Sequence, residues 1–229
     1  MKSKLFVPSK GIPIEFGESK IITLNNGLIY KKFKDNISLA TRRMKKRRLE
    51  YLSDFDSLKK YYPEIEYFVE PLMGFYIKGY VMKDVQYKSL DICTLNSEQK
   101  LEVLHKIREV LGMFERIGLR YYDIHTGNVV ISQNGLPMFF DIDSILYADE
   151  TKPDINPYGL DYYTINGGKL NFNFQLVKLN LFVKRVLEIC QDLVYDEIGA
   201  KIMEDVYNPF SPKSIYAHEN LLDHVSLKK

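Results

Sequence analysis

The pattern that most limits the fold is a change of hydrophobic period along the chain. From residue 12 to residue 82 apolar and polar side chains alternate in short runs, as strands with one buried face require. From Asn96 onward apolar residues recur at helical spacing: Leu101, Leu104, Ile107, Leu111 and Phe114, and later Leu176, Leu179, Phe182, Val183, Val186, Leu187 and Ile189. This predicts an α+β chain, with five antiparallel strands and one helix first and mostly helices afterwards. The strands are expected at 12–16, 20–24, 28–33, 67–72 and 75–82. Gly17-Glu18-Ser19 makes a tight connection, Met73-Gly74 a turn, and Asn25-Asn26-Gly27 a hairpin whose Asn-Gly pair accepts positive φ. A charged helix is expected from about Ser38 to Lys60. Asn96 or Ser97 caps the next helix and Gly118 ends it. Two short strands, Val129–Ser132 and Pro137–Phe140, flank an Asn134-Gly135 turn.

Composition narrows the function classes. A chain of 229 residues can bury one core or two small lobes. Its hydrophobic content of 45% and mixed charge argue against disorder. A net charge of +2 calls for neither nucleic acid nor an anionic membrane as partner. Apolar stretches are too short to span a bilayer, and the first residues lack the apolar segment of a signal peptide. Cys93 and Cys190 make no disulfide framework or zinc site, so a reducing cytoplasm is the expectation. His105, His218 and His224 show no metal-ligand spacing. The basic run from Arg42 to Arg48 spreads around a helix circumference and reads as a solvated face, or as a dock for an acidic partner.

The chemistry-bearing residues are an Asp, an Asn five residues later, and an Asp at the end of an apolar strand: Asp123, Asn128 and Asp141. Phosphoryl transfer needs an oriented acceptor hydroxyl and cations at the phosphates. Asp123 is placed to orient and deprotonate a hydroxyl. Asn128 and Asp141 offer oxygens to Mg²⁺, a hard cation, and the hairpin between them is expected to bring them side by side. Taken singly, Asp123 and Asn128 read better as turn formers and Asp141 as a strand end; the three together, in this order and spacing, carry the functional reading.

The set resembles the protein-kinase-like superfamily. Asp123–Asn128 matches the pattern H-R-D-x-x-x-x-N from its Asp onward, and Asp141-Ile142-Asp143 stands where that family has D-F-G. The resemblance implies a small, atypical, two-lobed kinase fold with ATP and Mg²⁺, an N-lobe over 1–84 and a C-lobe over 85–229. Leu28-Ile29-Tyr30-Lys31 resembles V-A-I-K, which gives Lys31 to the phosphates; the strand pleat turns Lys32, the alternative, to the other face. Gly79–Val85 resembles the hinge, with Met82 as gatekeeper and Lys83 and Asp84 beside the adenine. Gly17 and Ser19 flank the phosphate-loop position, where Glu18 repels phosphate unless it points away. Glu50, the one Glu between 37 and 60, is the candidate partner of the lysine. On an ideal helix it falls opposite the apolar arc of Met44, Leu49, Leu52 and Phe55, so an irregular helix, a missing pair or another carboxylate are the alternatives.

Departures from the family pattern shape the expected activity. Tyr121 and Tyr122 replace the His and Arg of H-R-D, which removes the usual anchor of a phosphorylated loop. His125, followed by Gly127-Asn128, and Asp143 in place of the Gly of D-F-G are more like aminoglycoside and choline kinases; Asp143 adds a possible metal carboxylate. The segment Asp154–Tyr163 stands where A-P-E is usual, and its aromatics read as a substrate platform or as packing. The expected activity is transfer of the ATP γ-phosphate to a hydroxyl, protein Ser/Thr narrowly before a small molecule, with a nucleotide-binding pseudokinase scaffold as the alternative. The identity of the acceptor stays open.

Overall fold

The alternation of the first third folds into strands, as its period requires. The computed structural model describes residues 2–4, 14–24, 27–72, 74–85, 87–89, 94–121, 123–132, 134–148, 174–205 and 219–228. Asn25-Asn26, Met73, Tyr122, His218 and the segment 154–163, all singled out in the sequence, lie outside the described residues. In chain order the elements begin with β1 (Lys2–Lys4), β2 (Ile14–Phe16), β3 (Ser19–Leu24), β4 (Leu28–Phe33) and α1 (Leu39–Ser53). Then come β5 (Ile65–Val69), β6 (Gly79–Lys83), β7 (Tyr87–Ser89), α2 (Ser97–Arg116) and β8 (Leu119–Arg120). They end with β9 (Val129–Ser132), β10 (Pro137–Phe139), β11 (Leu146–Tyr147), α3 (Phe174–Ile189), β12 (Leu193–Tyr195), α4 (Glu197–Asp205) and β13 (Val225–Leu227).

The chain divides into two compact units, residues 1–88 with 130–145, and residues 89–129 with 146–229. The first break falls between residues 88 and 89. The segment carrying the second acidic motif packs with the first unit, although its place in sequence put it with the second part.

The first unit is built on a six-stranded sheet of order β1-β5-β6-β4-β3-β2. The five expected strands are all present and pair antiparallel. The sixth, β1, runs parallel to β5 at the edge. One face carries Ile22, Tyr30, Tyr67, Val69 and Val81 as a cluster. The opposite face carries Lys31, Phe33, Phe68 and Tyr80, all buried. A second small sheet has the order β10-β9-β7.

Two boundaries differ from expectation for local reasons. The strands expected at 67–72 and 75–82 are Ile65–Val69 and Gly79–Lys83, with a loop between them. Pro71 has no N–H to give a ladder, and Gly74 stands at φ 65°, so the chain leaves the sheet there. Helix α1 starts as expected, with Ser38 accepting from the Thr41 N–H at 3.1 Å. It stops at Ser53 instead of Lys60. The Ser53 hydroxyl donates to the Glu50 carbonyl at 2.6 Å, a local bond that competes with the helix. The chain resumes as a 3-10 turn at Asp56–Tyr61.

Gly79 fixes the register of the central strands. A Cβ there would stand 2.1 Å from the Lys31 carbonyl oxygen and 2.8 Å from the Tyr30 ring. Gly79→Ala is therefore expected to lower stability by about 3 kcal/mol, measured by denaturant unfolding. Unchanged stability would contradict this packing of β4 against β6.

The second unit holds α2, α3 and α4 with two ladders, β8 with β11 and β12 with β13. Asn96 caps α2 in a reciprocal box with Gln99. Leu104, Ile107, Leu111 and Phe114 bury its inner face, and α3 contributes Phe182, Val183 and Val186. Each such side chain contributes about 1.5–3 kcal/mol by leaving water. Gly118 ends the α2 turn at φ 72°. Among the described residues, no helix is long and apolar enough to cross a membrane.

Candidate functional site

In the first unit the pleat of β4 does what the sequence predicts. Lys31 lies opposite Ile21 of β3 and Tyr80 of β6, and its side chain is buried. Lys32 faces the other way and lines a separate surface groove with Asp35 and Arg42. The Lys31 ammonium is ion-paired with Asp141 and also reaches Asp143 Oδ1 at 2.5 Å. Residues 110 and 112 positions apart in sequence thus meet in one cluster.

Asp143 is the centre of this cluster. Its Oδ1 also accepts from the Tyr80 hydroxyl at 2.7 Å, and its Oδ2 lies 2.8 Å from Lys45 Nζ of α1. Burial acts to raise its carboxyl, and the Lys31 and Lys45 charges outweigh that and hold it far below the usual aspartate range. Burial pushes the Lys31 ammonium down, with Asp143 as the main opposing force. Burial acts the same way on Lys45, but Asp143 and Glu18 reverse it and raise that ammonium above its ordinary value.

This arrangement corrects three expectations. Glu50 does not pair with the strand lysine: its carboxylate lies 3.7 Å from Lys46, one turn back on its own helix. Asp141 and Asp143 take the lysine instead. Asp143, expected among the metal ligands, is buried with both oxygens engaged by side chains, so it anchors lysines. The basic run is a solvated face only in part, with Arg43 and Arg47 exposed. Arg42, Lys45 and Arg48 are buried with Leu49 and Leu52, while Met44 is exposed. Positions 42, 45, 49 and 52 recur at three- and four-residue steps, a stripe visible in the sequence once Lys and Arg are admitted to a buried face.

Asp141 differs from Asp143 in its freedom. Its side chain is 35% exposed. Its backbone stands at φ 55°, the one non-glycine positive φ among the described residues. Asp tolerates this conformation better than most residues, yet it holds strain of the kind found at functional positions.

The remaining first-unit candidates are placed as follows. Gly17 and Glu18 form the turn between β2 and β3, Gly17 at φ 39° and exposed, and Ser19 is buried at the start of β3. The Glu18 carboxylate reaches back to Lys45 Nζ at 3.3 Å. Met82 is buried in β6. Lys83 gives its N–H to the Glu64 carbonyl at 3.0 Å and Asp84 gives its own to the Gly27 carbonyl at 2.7 Å. Those two N–H groups are thus committed to the protein's own backbone.

In the second unit Asp123 and Asn128 meet directly. The Asn128 amide donates to Asp123 Oδ2 at 2.9 Å and to the Asp123 carbonyl at 3.0 Å, both through its nitrogen. The loop closes on His125. Its carbonyl accepts from the Asn128 N–H at 2.9 Å, and its Nδ1 accepts from the Gly127 N–H at 3.0 Å. A Cβ at Gly127 would come 2.9 Å from the imidazole Cε1, so a larger residue there would displace the ring from this position. His125 Nε2 then lies 3.7 Å from Asp123 Oδ2. The imidazole is the chief influence holding the Asp123 carboxyl below its usual range, against burial, with Lys178 and Asn128 adding to it.

Two residues of α3, neither singled out in the sequence, support this loop. Gln175 exchanges a pair of hydrogen bonds with the Tyr121 backbone, at 3.2 Å and 3.1 Å. Lys178 is buried, its ammonium pushed down by burial and drawn back by Asp123. A cleft of about 420 Å³ opens beside the loop, lined by Ile124, His125, Thr126, Lys178 and Phe182 among others.

Among the described residues, no three His, Cys, Asp or Glu side chains gather as a metal-ligand group. No protein-family model matches the chain, and no curated protein matches it.

Proposed function

We propose that the chain is a phosphotransferase that moves the terminal phosphate of Mg·ATP to a hydroxyl. The observation that carries this reading is the meeting of Lys31 with Asp141: a buried strand lysine on a carboxylate that is partly exposed and held at a left-handed backbone position. Phosphoryl transfer asks for a fixed cation at the phosphates and an oxygen ligand for the metal, and this pair has both.

The donor chemistry suits Mg²⁺, which takes one or two carboxylates together with phosphate oxygens and water. Asp141 is the first-unit residue that would hold it; the ion would supply charge neutralisation at the phosphate oxygens. Lys31 steadies the phosphates, and Asp143 holds Lys31 charged and in place. In the second unit Asp123 acts on the acceptor. Its carboxyl is held in the ionised form, so it accepts a hydrogen bond from the hydroxyl and takes its proton as the phosphate is transferred.

The cleft lined by Ile124, His125 and Thr126, the residues that follow Asp123, favours a small-molecule acceptor over a protein Ser/Thr, since its volume suits a small ligand. ADP release from Mg·ATP, alone and with a panel of sugars, amino alcohols and Ser/Thr peptides, tests both readings. Asp123→Asn is expected to keep ATP binding and lose transfer by about a thousandfold. Full transfer by that variant would remove Asp123 from the mechanism.

A further inference from the structure

Lys45 holds three acceptors with its three N–H groups. Asp143 Oδ2 lies at 2.8 Å, the Asp143 carbonyl at 3.3 Å and Glu18 Oε2 at 3.3 Å. The first two belong to a buried residue and cannot leave without opening the cluster. Glu18 is different. Its side chain is 44% exposed, it sits on a two-residue turn next to an exposed Gly17, and rotation of that side chain alone would release it. The cluster also holds more carboxylates than ammonium groups: Asp141, Asp143 and Glu18 against Lys31 and Lys45. The excess negative charge is the Glu18 carboxylate, the partner that can exchange.

We propose that Lys45 is an anion-binding position occupied by the chain's own Glu18, and that a polyphosphate displaces this carboxylate. Glu18 is an internal competitor: while it sits on Lys45, the entering anion must replace it, and once replaced it leaves the β2–β3 turn free to adjust over the ligand. Lys45 keeps its contacts to Asp143 throughout, so the Lys31 anchor is undisturbed by the exchange. The inference rests on the phosphotransferase reading for the identity of the natural anion, a nucleotide phosphate. The exchange itself depends only on charge.

Inorganic tripolyphosphate is the probe that separates the two. Its binding to the full chain is measured by calorimetry at fixed low ionic strength for wild type, Glu18→Gln, Lys45→Met and the double variant, with thermal unfolding of each variant to verify the fold. Removing one half-exposed competing charge is expected to tighten tripolyphosphate binding about fivefold in Glu18→Gln. The Lys45→Met, Glu18→Gln double variant should lose that gain. Equal or weaker binding by a folded Glu18→Gln variant overturns the proposal and makes Glu18 a clamp that orders the turn. A gain that survives in the double variant also overturns it, since Lys45 is then not the position involved. Tighter tripolyphosphate binding without any transfer from Mg·ATP would leave the anion position standing and sink the phosphotransferase reading instead.

Discussion

Replacing Asp141 with Ala is expected to reduce ADP release from Mg·ATP by about a thousandfold, with the far-ultraviolet dichroism spectrum unchanged. The argument starts from its exposure. Of the two carboxylates of the acidic motif, Asp141 is the one an incoming cation can reach, since Asp143 is buried and its oxygens are engaged by side chains. Losing a preorganised charge aimed at the reacting group typically removes roughly 3–4 kcal/mol of transition-state stabilisation. The fold should tolerate the change, because Lys31 keeps Asp143. Lys31→Met belongs with it: turnover should fall by a similar order, while Lys32→Met, on the opposite face, should leave turnover near wild type. Normal turnover in Asp141→Ala would show that the acidic motif is structural.

The largest expected effect on stability is at Asp143. Asp143→Ala would leave two lysines buried around a missing carboxylate. Breaking a buried ion pair from one side costs about 3–5 kcal/mol. For a chain of this size that is a fall of roughly 10 °C in the unfolding midpoint. The pH dependence follows from the sign of the shift. The folded carboxyl lies far below its ordinary value, so its contribution is present above the unfolded aspartate range, near pH 3.9, and is lost as pH falls through that range toward the folded value. Wild type should lose stability more steeply below about pH 5 than Asp143→Asn does. Equal acid sensitivity in the two would mean that Asp143 carries no such charge in the folded protein.

The sheet could be read in the sequence because its signal is local. Alternation and the turns at Gly17 and Gly27 mark strands β2 to β4, and the pleat puts Lys31 and Lys32 on opposite faces. Strand β1 could not be read: three residues are too few to show a period, and its pairing is with β5, far along the chain. The inner face of α1 differs from its apolar arc for another reason. Hydropathy ranks Lys and Arg as surface residues, so an arc chosen by hydropathy runs through Met44 and Phe55. The buried stripe runs instead through Arg42, Lys45, Leu49 and Leu52. What reverses the ranking is a partner absent from local sequence: Asp143, 98 positions away, makes a buried lysine tolerable at residue 45. The same partner explains why Glu50 is not used: Lys31 already has two carboxylates from the acidic motif, the alternative that the place of Glu50 on the helix leaves open.

The central claim is that the Lys31 and Asp141 pair meets Mg·ATP. Calorimetric titration of the wild-type chain with ATP, with Mg²⁺ and then with Mg²⁺ replaced by chelator, tests it most directly. The account predicts saturable binding of one ATP per chain that weakens at least tenfold without Mg²⁺ and is lost in Lys31→Met. Absence of binding at millimolar Mg·ATP, or binding indifferent to both Mg²⁺ and Lys31, would contradict it.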